Sequence, residues 1–125
     1  MSKKILIVDD EPNIVMSLEF LMRRESFDVK VARDGEEALD SIAAEQPDLV
    51  LLDVMMPKID GFEVCKRLRA NAALADMRIV MLSAKGREAE IKKGLSLGAD
   101  GYITKPFSTR DLVVQVKNLL EPEET

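Results

Sequence analysis

Three stretches of the chain are apolar without a break: Ile5-Leu6-Ile7-Val8, Leu49-Val50-Leu51-Leu52 and Ile79-Val80-Met81-Leu82. A short continuous run of this kind is the pattern of a strand covered on both faces, as in a parallel sheet. Val29-Lys30-Val31-Ala32 alternates instead, which predicts an edge strand, and Tyr102-Ile103-Thr104 is a short fifth candidate. Between the runs, apolar positions recur at helical spacing. Pro12 suits a first helical position, and Ile14, Val15, Leu18, Leu21 and Met22 then share one face. Asp34 with Glu37, and Asp60 with Glu63, have capping-box spacing ahead of Ala38, Leu39, Ile42 and of Val64, Cys65, Leu68. Ile91 and Leu95 mark a weaker helix, interrupted by Gly94 and stopped near Gly98. Ser108 and Asp111 open a last helix with Leu112, Val113, Val116, Leu119 and Leu120 inward.

Strands that alternate with helices predict an α/β sandwich. With right-handed crossovers it is doubly wound, a five-stranded parallel sheet in the flavodoxin-like order 2-1-3-4-5 with five flanking helices. The alternating second strand fits an edge of that sheet. The expected layout is one domain over residues 1–120, followed by an acidic tail over 121–125.

Composition narrows the chemistry. The chain has 125 residues and a net charge of −5, which argues against direct nucleic-acid binding. It contains no histidine, so a Ser-His-Asp triad, a His-ligated zinc and a phosphohistidine donor are excluded. The lone Cys65 forms no internal disulfide and fits the cytoplasm. No apolar run approaches the roughly 20 residues of a membrane span.

In open α/β sheets, sites form beyond the carboxyl ends of the strands. Asp9 and Asp10 follow the first run, Asp53 the second, and Ser83 with small Ala84 the third. Lys105 and Pro106 follow the fifth strand. Three carboxylates, a hydroxyl and an ammonium therefore meet at one sheet edge. Carboxylates so close stay ionised only around a cation, and oxygen-only ligands favour Mg²⁺, with Mn²⁺ as a substitute. Such a set suits a phosphoryl group, with a carboxylate as acceptor. Taken singly, the residues have plainer readings. Asp10 before Glu11-Pro12 could be an N-cap, Cys65 is a core residue, and Lys92-Lys93 form a solvated face.

These residues resemble the receiver domain of bacterial two-component response regulators. The likeness runs from Lys4 to about Leu120. It is carried by Ile5-Leu6-Ile7-Val8-Asp9-Asp10-Glu11, by Leu51-Leu52-Asp53-Val54-Met55-Met56-Pro57 with Asp60-Gly61, by Leu82-Ser83-Ala84, and by Gly98-Ala99-Asp100-Gly101-Tyr102-Ile103-Thr104-Lys105-Pro106-Phe107. The resemblance implies that Asp53 accepts a phosphoryl group from the phosphohistidine of a sensor kinase or phosphotransfer protein. It implies Mg²⁺ on Asp10, Asp53 and the Met55 backbone carbonyl, with Asp9 acting through water. Lys105 would pair with Asp53 and then with the phosphoryl oxygens, and Ser83 would turn toward them while Ala84 leaves room. Tyr102 would report the active state, and the Lys105–Pro106 bond is expected to be cis.

The implied switch alters the face made by the fourth helix, fifth strand and fifth helix. Met55 and Lys85 would flank an attacking water, and Met55 offers it no useful hydrogen bond, which predicts slow self-dephosphorylation. Gly101 and Gln115 stand where related regulators carry an acidic residue and an arginine that pair across a dimer, although Asp100 and Asp111 remain. A monomer, or a weak phosphorylation-dependent dimer, is expected. The kinase and output are unassigned, and the chain is a stand-alone regulator or the first domain of a longer protein.

Three other readings compete. A Mg²⁺-dependent phosphohydrolase with an aspartyl nucleophile would want a second Asp at Met55. A flavin-nucleotide binder would want a phosphate loop where Asp9-Asp10-Glu11 stand. A pseudo-receiver would not need the intact Asp9, Asp10, Asp53, Ser83 and Lys105 set. A signalling domain that catalyses only its own phosphorylation and dephosphorylation fits better than a turnover enzyme.

Overall fold

The computed structural model describes residues 2–84 and 86–120. Five strands alternate with five helices: β1 (Lys4–Val8), α1 (Pro12–Arg24), β2 (Asp28–Ala32), α2 (Gly35–Ala44), β3 (Leu49–Asp53), α3 (Gly61–Arg69), β4 (Arg78–Ser83), α4 (Glu88–Ser96), β5 (Gly101–Thr104) and α5 (Thr109–Leu120). The strands form one sheet in the order β2-β1-β3-β4-β5, all parallel. All of β3 is buried, as its unbroken apolar run requires, whereas the edge strand β2 exposes Asp28 and Lys30.

The sheet carries a core on each face. One packs Ile5, Ile7, Leu49, Leu51, Val80 and Leu82 against Leu18 and Met22 of α1 and Leu112 and Val116 of α5. The other packs Leu6, Val8, Val50, Leu52, Ile79 and Met81 against α2 and α3, with Leu97, Ala99 and Tyr102 closing its far side. Successive residues of one strand thus serve opposite cores, which is why no polar residue interrupts the central strands.

The helix starts follow the sequence with two differences. Asp34 and Asp60 accept from the Glu37 and Glu63 N–H groups at 2.8 and 2.9 Å, a side-chain cap at each N-terminus. Glu63, however, accepts from Arg67 Nε at 2.9 Å, one turn along. Asp10 is not a cap: the N-cap of α1 is Glu11, without a side-chain bond, and Pro12 sits at the helix start. Proline has no N–H to satisfy there.

Helix α4 corrects the sequence reading. Leu95 is 46% exposed, and the buried residue is Gly94. A Cβ at Gly94 would lie 2.9 Å from Met81 Sδ and 3.1 Å from Tyr102 Cδ2. The helix presses its glycine onto the sheet, and that contact turns Leu95 outward. Lys92 and Lys93 are both exposed, the solvated face expected of them, and the Lys93 ammonium lies 4.5 Å above the Phe62 ring. A short 3-10 turn, Ala72–Leu74, capped by Asn71, was not legible from periodicity.

Candidate functional site

Strand register assembles the site. Val8 pairs with Leu52, Asp53 with Leu82, and Ser83 with Thr104. Asp9, Asp53, Ser83 and Lys105 therefore follow one another along the carboxyl edge of the sheet. The Lys105 N–H donates to the Ser83 carbonyl at 2.8 Å and the Val54 N–H to the Leu82 carbonyl at 3.0 Å, which extends the ladder just past the strand ends. Asp9 and Ser83 are wholly buried, Asp53 is 3% exposed, and Asp10 lies open to solvent.

The loop after β3 is closed by a glycine. Gly61 donates to the Val54 carbonyl at 2.9 Å, and a Cβ there would meet Val54 Cα at 2.8 Å. Only a residue without a side chain lets the start of α3 lie this close to the end of β3. Lys58, in the same loop, holds a left-handed φ of 68°.

Carboxylate oxygens of Asp9, Asp10 and Asp53 lie within 4.8 Å of one another. The Lys105 ammonium reaches both buried members, at 3.1 Å from Asp9 Oδ2 and 3.3 Å from Asp53 Oδ1. Pairing with Asp53 alone is thus too narrow a description of Lys105. Backbone donors take further positions: the Glu11 N–H donates to Asp9 Oδ1 at 2.9 Å and the Met55 N–H to Asp53 Oδ1 at 3.3 Å.

Burial, and next the charge of Asp9, push the Asp53 carboxyl up to about 6, against the smaller downward pull of Lys105. Burial opposes the charged form of Lys105 too, but Asp53 and Asp9 outweigh it and raise the ammonium above its ordinary value. One ammonium does not neutralise three carboxylates. An all-oxygen set with surplus negative charge fits a hard divalent cation such as Mg²⁺.

The Lys105–Pro106 peptide bond is cis. Ala84 is exposed beside Ser83, and Tyr102 is half-buried against α4. Lys85 and the tail over 121–125 lie outside the described residues. Sequence reasoning missed a cleft just past the end of β3, walled by Met55, Asp60, Phe62, Glu90 and Lys93. Its residues come from a loop and two helices, so no local spacing announces it.

A buried strand-end carboxylate, flanked by two more and an ammonium, defines an α/β protein with an acidic, cation-ready site at the carboxyl edge of a five-stranded parallel sheet. Residues 5–117 match the model of the response regulator receiver domain family. The chain is 51% identical over 124 residues to the alkaline phosphatase synthesis transcriptional regulatory protein PhoP of Bacillus subtilis, covering 99% of this chain and 51% of that one. It therefore spans about half the length of that relative. A crystal structure assigned as a response regulator from Chloroflexus aurantiacus superposes with a TM-score of 0.92 at 38% identity, over 96% of this chain and 98% of the other. The receiver domain of the Francisella response regulator 1452 gives 0.89 at 33% identity, over 96% and 98%. The chain belongs to the response regulator receiver domain family, the signalling domains of two-component systems.

Proposed function

We propose that this domain is a phosphoacceptor switch in which Asp53 takes a phosphoryl group from the phosphohistidine of a sensor kinase or phosphotransfer protein. The observation that carries the reading is the Lys105 ammonium bridging Asp9 and Asp53 within a three-carboxylate cluster. Asp10, Asp53 and the Met55 carbonyl would hold Mg²⁺, with Asp9 engaged through water. The bound ion would offset the repulsion between the attacking carboxylate and the anionic phosphoryl group.

The protein's own groups do the rest. Asp53 supplies the nucleophilic oxygen. Lys105 donates to the transferred oxygens once Asp53 is esterified, and Asp9 keeps the ammonium aimed. The buried Ser83 hydroxyl turns toward the new anion, and Ala84 leaves it space. Tyr102 and α4 respond, which changes the α4-β5-α5 face that an output domain or target protein reads. Met55 gives an attacking water no hydrogen bond, so the acyl phosphate is long-lived. The activity needs no nucleic acid or membrane, and among the described residues no helix is long and apolar enough to cross one. A cytoplasmic site of action agrees with the lone buried thiol of Cys65.

Intact mass after incubation with Mg²⁺ and a small phosphoryl donor tests this. One added phosphoryl group on wild type, absent from Asp53→Asn and lost without Mg²⁺, is the expected result. No addition from either a small donor or a phosphorylated histidine protein, despite Mg²⁺ binding, would leave a pseudo-receiver that acts by binding alone.

A further inference from the structure

The cleft between α3 and α4, about 370 Å³, opens beside the acceptor: Val54 and Met55, the two residues that follow Asp53, form one wall. Met55 is 54% exposed there. Ala89, Glu90 and Lys93 of α4 form the opposite wall, with Asp60 and Phe62 between. Glu90 Oε2 is buried in the first turn of α4 without a hydrogen-bond partner.

The nearby cations are engaged elsewhere. Lys93, one turn along from Glu90, seats its ammonium 4.5 Å above the Phe62 ring, and Lys92 pairs with Glu88 at 3.1 Å. Among the described residues no cation pairs with Glu90. The wall of the cleft thus carries a carboxylate that no cation pairs with, at a solvent-lined opening where salt screens its field. A carboxylate placed there raises the energy of an approaching donor in proportion to the donor's own negative charge.

We propose that Glu90 is a specificity-determining residue for the phosphoryl donor: its unpaired carboxylate in the α3–α4 cleft discriminates against small dianionic donors, and the seating of Lys93 on Phe62 preserves that charge. The proposal rests on Asp53 being the phosphoacceptor and adds to it a selection among donors.

Two donors of different charge separate these claims. Acetyl phosphate is a dianion. In its reaction an Asp53 oxygen bonds to phosphorus, the bond from phosphorus to the acetyl oxygen breaks, and acetate leaves. Phosphoramidate is a net monoanion; the same bond forms, the phosphorus–nitrogen bond breaks, and ammonia leaves. Rates of mass gain are read for both donors with Mg²⁺, at low and high salt.

The Glu90→Gln variant should react about threefold faster with acetyl phosphate, with little change for phosphoramidate, and the gain should shrink in high salt. Glu90→Asp, which keeps the charge, should retain the wild-type ratio. Phe62→Leu frees Lys93 to reach Glu90 at i,i+3 spacing and should move the ratio the same way by a smaller factor. Equal acceleration of both donors by Glu90→Gln, or no change in either, would overturn the proposal. Phosphoryl uptake by wild type from neither small donor would overturn the donor selection, and failure with a phosphorylated histidine protein as well would sink the phosphoacceptor reading.

Discussion

Asp53 is a carboxylate held where water scarcely reaches it, beside a second carboxylate. Its pKa is raised from 3.8 to about 6, so between those values the folded state holds more protons than the unfolded chain. Stability attributable to this group then falls as pH rises, and the cost is complete above the folded value. Asp53→Asn should therefore stabilise the metal-free protein at pH 7.5 by roughly 3 kcal/mol at most, and hardly at pH 4.5. Thermal melts at both pH values check this, and equal gains at the two would assign the effect to something other than ionisation. Lys58 makes a separate case. Its left-handed φ of 68° strains a residue with a Cβ, and its pairs with Asp34 and Glu36 are exposed and long, at 3.9 Å. Lys58→Gly should raise the denaturant midpoint, by about 1 kcal/mol in stability. The residue types at the site were legible, because each of Asp9, Asp53, Ser83 and Lys105 ends an apolar run. The strain at Lys58 was not, because nothing in the residue itself signals its φ.

Among the elements, Arg69 ties together pieces distant in sequence. Its guanidinium donates to the Gly98 carbonyl at 2.9 Å, the Leu74 carbonyl at 3.0 Å and Asp100 Oδ2 at 2.8 Å. The same Asp100 oxygen accepts from the Ile79 N–H at 2.8 Å. The end of α3, the 3-10 turn, the start of β4 and the approach to β5 are thus fixed at one point. The pair is mostly buried, with side-chain exposures of 18% and 22%. Arg69→Ala would leave two carbonyls and a carboxylate short of a donor and should cost about 2–4 kcal/mol, read from chemical denaturation. A loss below 1 kcal/mol would show that water replaces the guanidinium. Helix α4 shows where periodicity fails: its contact with the sheet runs through Gly94, which contributes nothing to a hydrophobic pattern.

For the whole molecule, the sheet order places the active edge between two helix layers and leaves the α4-β5-α5 face open. On that face Gly101 lies under Gln115, whose Nε2 would be 3.1 Å from a Cβ at Gly101. Neither residue can supply a charge to a partner subunit. Analytical ultracentrifugation should find a monomer without a phosphoryl mimic and at most a weak dimer with beryllofluoride and Mg²⁺. A firm activated dimer would show that other contacts on this face suffice.

The sequence by itself determined the strands, their burial and the identity of the residues at their carboxyl ends, because a strand buried on both faces must be apolar throughout and its first polar residue marks the edge. It also determined the helix starts at Asp34 and Asp60, since a cap is a local interaction. The tertiary structure alone decided that Lys105 is shared between Asp9 and Asp53, that α4 packs through its glycine, that Arg69 ties four segments, and that Glu90 Oε2 is buried without a partner. Each of these depends on side chains brought together from separate elements. Their distances and desolvation come from packing, and a one-dimensional pattern carries no measure of either.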